Sequence, residues 1–221
     1  MAPATANDHK RKATDLNLEI ITIDAMYDLT LIVGTPEHPK GQKAFRINKG
    51  SLRSVSPVWA KMLSGDWAES TKSEIDFPDD SCDAFLIVLR IAHFQLSQLP
   101  ESLSREELLD LAAFTDKYGL EGAVRVGLEL KKWMGPYRKA WVQWPAITHL
   151  QDFAVVTSAF KLQQDYDYLI NRLVMELQVD ELNAYFYQDD AQNKVNLRSD
   201  LPTHILGKPP PRTQCHHGHP E

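Results

Sequence analysis

With 221 residues, 43% of them hydrophobic and 24% charged, the chain holds enough apolar material for one main core with an appendage and is expected to fold unaided. A formal net charge of -6 gives phosphates no general attraction, so neither DNA nor RNA is expected as a direct partner. Two widely separated cysteines, Cys82 and Cys215, argue against a disulfide framework, and no apolar run nears the ~18 residues of a membrane span, so a cytoplasmic or nuclear protein without a membrane partner is expected.

The first 14 residues are small, polar and basic, lack the apolar middle of a signal peptide, and read as disordered. Lys10, Arg11 and Lys12 form either a solvated triplet or a short nuclear-import signal, and residues 1–24 are assigned to a leading segment. Residues 28–33, Asp-Leu-Thr-Leu-Ile-Val, predict a strand ended by Gly34, and the alternation that resumes at Ala44 to Ile47 predicts its antiparallel partner across a long loop. Ser56 before Pro57 is an N-cap arrangement with proline at the first helical position, so a helix starts there and Gly65 stops it. Residues 74–77 read as a short strand closed by Pro78. Asp79, Asp80 and Ser81 then offer oxygens to the start of a helix through Phe85, Leu86, Ile87, Val88, Leu89, Ile91 and Ala92, which is apolar on nearly every side and therefore central. Ser104 and Glu107 have capping-box spacing, so a further helix begins at that serine and Gly119 ends it. Another amphipathic helix carries Val124, Leu128, Leu130 and Trp133 up to Gly135-Pro136.

Residues 137–148, with Trp141, Trp144 and Pro145, read as an aromatic-rich connector. Two more helices come after it, over roughly 149–162 and 166–177. Leu150, Phe153, Ala154 and Phe160 on one, and Leu169, Ile170, Leu173 and Leu177 on the other, recur at three and four residues and predict an antiparallel pair with a shared core. Residues 135–190 are thus expected to be a helical extension and 191–221 a disordered tail rich in proline and histidine.

There is no Gly-rich phosphate loop, no His-Glu-x-x-His and no Gly-x-Ser-x-Gly, so no catalytic residue, cofactor or metal is expected and the chain does not read as an enzyme. Asp79 and Asp80, directly before a helix, read as a capping pair rather than a metal or acid site; His93 and His149 read as helix-end residues. Cys215, His216, His217 and His219 are ligand types that suit zinc or copper, but nothing else in the chain supplies a second element to close a tetrahedral cage. Pro209 to Arg212 resembles a short polyproline ligand.

The order of elements, strand hairpin, helix, short strand, buried helix and two further helices, comes with particular residues at the joints. Asp28-Leu-Thr-Leu-Ile-Val-Gly34, Phe45-Arg-Ile-Asn-Lys49, Leu52, Ser56-Pro57-Val58-Trp59 and Met62 are succeeded in spacing by Ile75, Asp80, Phe85, Leu89, Leu109, Ala112 and Asp116-Lys117-Tyr118. Over residues 25–134 this resembles a BTB (POZ) domain, and the helices beyond resemble the extension of stand-alone BTB proteins of filamentous fungi. The resemblance implies an α+β fold, a short sheet flanked by helical hairpins. Two places depart from the family's pattern: Asn48 stands where a histidine is usual, and His93-Phe94-Gln95 replaces the Tyr-Thr-Gly that commonly ends the buried helix. The edge strand usual after that helix has no clear counterpart.

What the resemblance implies is a non-catalytic interaction module that homodimerises and recruits an unknown protein partner, as a scaffold or adaptor. In dimeric members an acidic and a basic residue share a charged pocket at the interface, and Asp28 and Lys49 match them; the alternative is a strand-end cap and a solvated lysine. Leu52, Val55, Trp59 and Met62 crowd one short segment and complete the expected seam. Phe85, Leu86 and Ile87 match the positions at which cullin-binding members carry an apolar residue, any residue and a glutamate. With Ile87 in the glutamate's place, a ubiquitin-ligase adaptor is the lesser expectation. Transcriptional co-regulation would need a partner that reads DNA, since no such element is present here.

Overall fold

The computed structural model describes residues 18–37, 41–65, 67–141, 147–181, 184–188, 193–198 and 201. The basic triplet, Trp144, Pro145, the polyproline run and the Cys215 to His219 cluster lie outside the described residues. The chain is α+β and divides into two compact units, with the division along the chain between Gly135 and Pro136.

In the first unit four strands, β1 (Glu19–Thr22), β2 (Leu29–Val33), β3 (Lys43–Ile47) and β4 (Glu74–Phe77), form one sheet in the order β1-β3-β2-β4. The β2–β3 hairpin is antiparallel, with Leu31 opposite Phe45, while β1 joins β3 and β4 joins β2 in parallel. Alternation decides the two faces. Leu29, Leu31, Phe45 and Ile47 point one way into the core, and Thr30, Ala44 and Arg46 point the other. Gly34, at φ +76, turns the chain where an added Cβ would sit 2.4 Å from the Gly41 carbonyl oxygen, so glycine is required there.

Strand β1 corrects the assignment of residues 1–24 to a leading segment. Its partner is parallel and 24 residues away in the pairing Glu19 with Lys43, so no hairpin signal announces it. A second correction is α1 (Lys49–Val55), which precedes the expected helix α2 (Pro57–Met62). Ser56 alone separates them, and its hydroxyl caps α2 by accepting from the Trp59 N–H. The buried helix is α3 (Cys82–Ala92), capped by Ser81. Helix α4 (Arg105–Tyr118) carries both bonds of the Ser104/Glu107 capping box and ends at Gly119, with φ 62. Helix α5 (Glu121–Lys131) stops at Lys132, in the left-handed region, so Gly135-Pro136 does not end it. Those two residues open α6 (Gly135–Trp141) instead, because proline's fixed φ and missing donor suit a first turn. Part of the expected connector is therefore helical, and Leu130 is exposed rather than packed.

In the second unit α7 (Ile147–Ala159) and α8 (Gln163–Glu176) are joined by a three-residue turn and pack against each other. Leu150, Phe153, Phe160, Leu169, Ile170 and Leu173 are buried there. The chain beyond α8 is not helical: β5 (Gln178–Val179), β6 (Tyr185–Gln188) and β7 (Lys194–Asn196) form a second, antiparallel sheet. This overturns both the all-helical extension and the disordered reading of residues 193–198. The sheet is held by local polar contacts that hydrophobic periodicity does not show: Asp180 accepts from the Ala184 N–H and pairs with Lys194.

Candidate functional site

The residues at the joints of the first unit converge in space. Asp80 is not a helix cap. Ser81 serves α3, and the Asp80 carboxylate, 6% exposed, turns inward to accept from Lys117 Nζ at 2.7 Å and from the Tyr118 hydroxyl at 2.6 Å. The backbone carbonyl of Tyr118 accepts in turn from the Ser56 hydroxyl at 2.6 Å. One polar chain thus ties the entry of α3, the end of α4 and the start of α2. Burial first, and the bond to Asp80 second, push the Tyr118 phenol far above the usual range, so it stays a donor. Beside this chain the rings of Phe45, Phe77, Phe85, Phe114, Tyr118 and Trp59 pack together, with the Trp59 and Tyr118 centroids 5.1 Å apart.

With Trp59 pinned inward, the opposite side of α2 is forced outward. Pro57, Val58, Lys61 and Met62, together with Trp67, line an open groove of about 420 Å3. Val58 is 41% exposed and Trp67 53% exposed. Among these described residues Lys61 alone is charged. A largely apolar groove with one cation among its lining residues suits an apolar side chain from another protein, which gains by leaving water.

The expected seam residues separate into two sets. Leu52 and Trp59 have no accessible surface and belong to the core, so they are not partner contacts; helical geometry, not composition, decides which apolar side chains of such a segment face in. Val55 and Met62 are half-buried. Asp28 is exposed, and its carboxylate accepts from the backbone N–H of Lys49 at 2.7 Å, capping α1. The Lys49 ammonium faces elsewhere, donating to the carbonyls of Ser70 and Lys72. These two residues therefore make a backbone cap and a loop brace, not a charge pair with each other. Phe85 and Ile87 are buried in α3 and do not belong to a partner surface either; Leu86 is half-buried. Cys82 is a buried free thiol, raised by burial above its ordinary value.

Asn48 and His93, 45 residues apart, meet. His93 Nδ1 donates to the Leu89 carbonyl at 2.8 Å, which leaves Nε2 to accept from the Asn48 N–H at 3.2 Å. Asn48, in turn, caps α1 through its side chain. Among the described residues no group of three or more His, Cys, Asp or Glu side chains is placed to hold a metal, and no helix is long and apolar enough to cross a membrane.

No protein-family model matches the chain, and no curated protein does either. The groove and the polar chain behind it therefore stand on geometry alone. Sequence reasoning missed Trp67 and the outward role of Pro57 and Val58. The signal that could have found Val58 was the Ser-Pro cap: it sets the phase of α2, and with Trp59 buried that phase puts Val58 and Lys61 outside, whereas Trp67 lies beyond the helix and has no such signal.

Proposed function

We propose that the chain is a non-catalytic protein-interaction module of the BTB type that homodimerises and recruits other proteins. The groove on α2 carries this reading, since an exposed tryptophan beside Val58 and Met62 is surface that a lone domain in water gains nothing by displaying. The element order and the convergence of Ser56, Asp80, Lys117 and Tyr118 support the family reading, because these are the joint residues on which the resemblance rests. Asp28 and Lys49 bond to backbone groups rather than to each other's charge, so charge reversal at these positions is not its test. Multi-angle light scattering at micromolar concentration is expected to give about twice the chain's 25.1 kDa, and Val58→Asp, which places a carboxylate in the groove, is expected to return the monomer mass. A monomer mass for the wild-type protein across a dilution series would refute homodimerisation.

A further inference from the structure

Trp67, the aromatic residue of the groove lining, belongs neither to α2 nor to β4. It opens a single 3-10 turn over Ala68–Thr71, which buries none of its residues in the core. Most of the turn's polar bonds are its own. The Ser70 hydroxyl donates to the Trp67 carbonyl at 2.7 Å, the Thr71 hydroxyl to the Ala68 carbonyl at 3.3 Å, and Lys72 pairs with Glu69. Such bonds shape the turn without placing it against anything. Among the described residues, the hydrogen bonds that tie 67–72 to another element come from Lys49, whose ammonium donates to the Ser70 carbonyl at 3.1 Å and to the Lys72 carbonyl at 2.8 Å. The last carbonyls of a helical turn lack partners within it, and an ammonium with several donors can serve two of them together. The origin of that side chain is fixed as well. Lys49 is the first residue of α1, and its backbone N–H is held by the Asp28 carboxylate at 2.7 Å. A lysine that gives up its side-chain freedom in this way loses entropy, and what the bonds secure in return is the place of the turn.

We propose that Lys49 is a positioning residue of the interaction site: its ammonium holds the turn that keeps Trp67 beside α2, and without it the groove loses its aromatic side. This rests on the reading of the groove as the surface that takes a partner. Lys49 itself is not among the groove's lining residues and acts through Trp67. Asp28 and Lys49 then work in series rather than as a pair. Asp28 fixes the start of α1, Lys49 reaches from there to the carbonyls of Ser70 and Lys72, and the turn so held carries Trp67. The charge at position 49 matters because a neutral apolar side chain of the same length reaches the same carbonyls with nothing to donate.

The test combines fluorine NMR and sedimentation velocity on the full chain labelled with fluorotryptophan, with Trp67→Phe identifying the Trp67 resonance among those of the five tryptophans. Lys49→Met keeps the stem and the backbone N–H that Asp28 caps but removes every side-chain donor, while Lys49→Arg keeps the cation. In Lys49→Met the Trp67 resonance alone is expected to move, toward its position in the urea-unfolded chain; in Lys49→Arg it is expected to stay close to the wild-type position. Self-association of Lys49→Met is expected to be at least about fivefold weaker than that of wild type, the loss that a contributing interface residue gives. An unmoved Trp67 resonance overturns the proposal. So does a shift shared with the other tryptophans, since Trp59 and Trp133 are buried and would report a general loosening. A selective Trp67 shift with undiminished association of a dimeric wild type overturns the groove as the contact, and with a monomeric wild type it overturns homodimerisation; in both cases Lys49 stands as the residue that places Trp67.

Discussion

Tyr118 shows how a single side chain couples the chemistry of the first unit to its stability. Its hydroxyl donates to Asp80, a carboxylate with almost no access to water, so Tyr118→Phe leaves one buried oxygen short of a partner. That loss is expected to cost about 1–3 kcal/mol in urea-unfolding experiments at neutral pH. The phenol also has a pH signature. Its folded value is raised, so its contribution is complete below the ordinary tyrosine value of about 10 and is lost as pH climbs above it, because the unfolded chain then releases a proton that the folded chain keeps. Wild-type stability should fall more steeply than that of Tyr118→Phe between neutral pH and the alkaline range. Parallel curves for the two proteins would show that burial and the Asp80 bond together do not hold the proton.

At the scale of elements, Ser56 does two things from one hydroxyl. It accepts from the Trp59 N–H, which sets the start of α2, and donates to the Tyr118 carbonyl, which secures the end of α4. Ser56→Ala removes both bonds at a buried site and is expected to destabilise by roughly 1–2 kcal/mol, measured by thermal or urea unfolding. It should also change the groove, since α2 loses its cap on the turn that presents Pro57 and Val58. Weaker self-association than the stability loss explains would separate this positioning role from a general loosening. Gly119 closes the same joint: with φ at +62, an added Cβ would strain the backbone and sit 3.2 Å from Pro57 Cγ, so glycine lets α4 end close against α2 without displacing that ring.

Taken whole, the molecule has two cores. One gathers around Phe85 between the first sheet and α3 and α4, and the other around Phe153 and Leu169 between α7 and α8. The boundary falls at Gly135 and Pro136. Each core has its own buried residues and its own polar ties, among them Arg198 with Asp152 in the second unit. Residues 1–135 produced alone are therefore expected to keep a cooperative thermal transition and to keep the self-association proposed for the full chain, because the groove lies within them. Loss of the transition would show that the first core depends on the second unit.

The sequence by itself determined what short-range bonds determine. The caps at Ser56, Ser81 and Ser104, the left-handed stop at Gly119, the β2–β3 hairpin and the all-round apolar α3 each depend on residues within a turn or a hairpin of one another, so pattern and propensity suffice. Only the tertiary structure decided which apolar residues of the Leu52 to Leu63 segment were spare. Leu52 and Trp59 went to the core and Val58 to the surface, because the aromatic cluster supplied by α3 and α4 claimed one side of α2. It likewise turned Asp80 from a cap into a buried acceptor, paired β1 with a distant β3, and brought Asn48 to His93 across 45 residues. Each of these depends on a partner far along the chain, and the free energy that chooses it comes from burial and bonding between elements, which no local window contains.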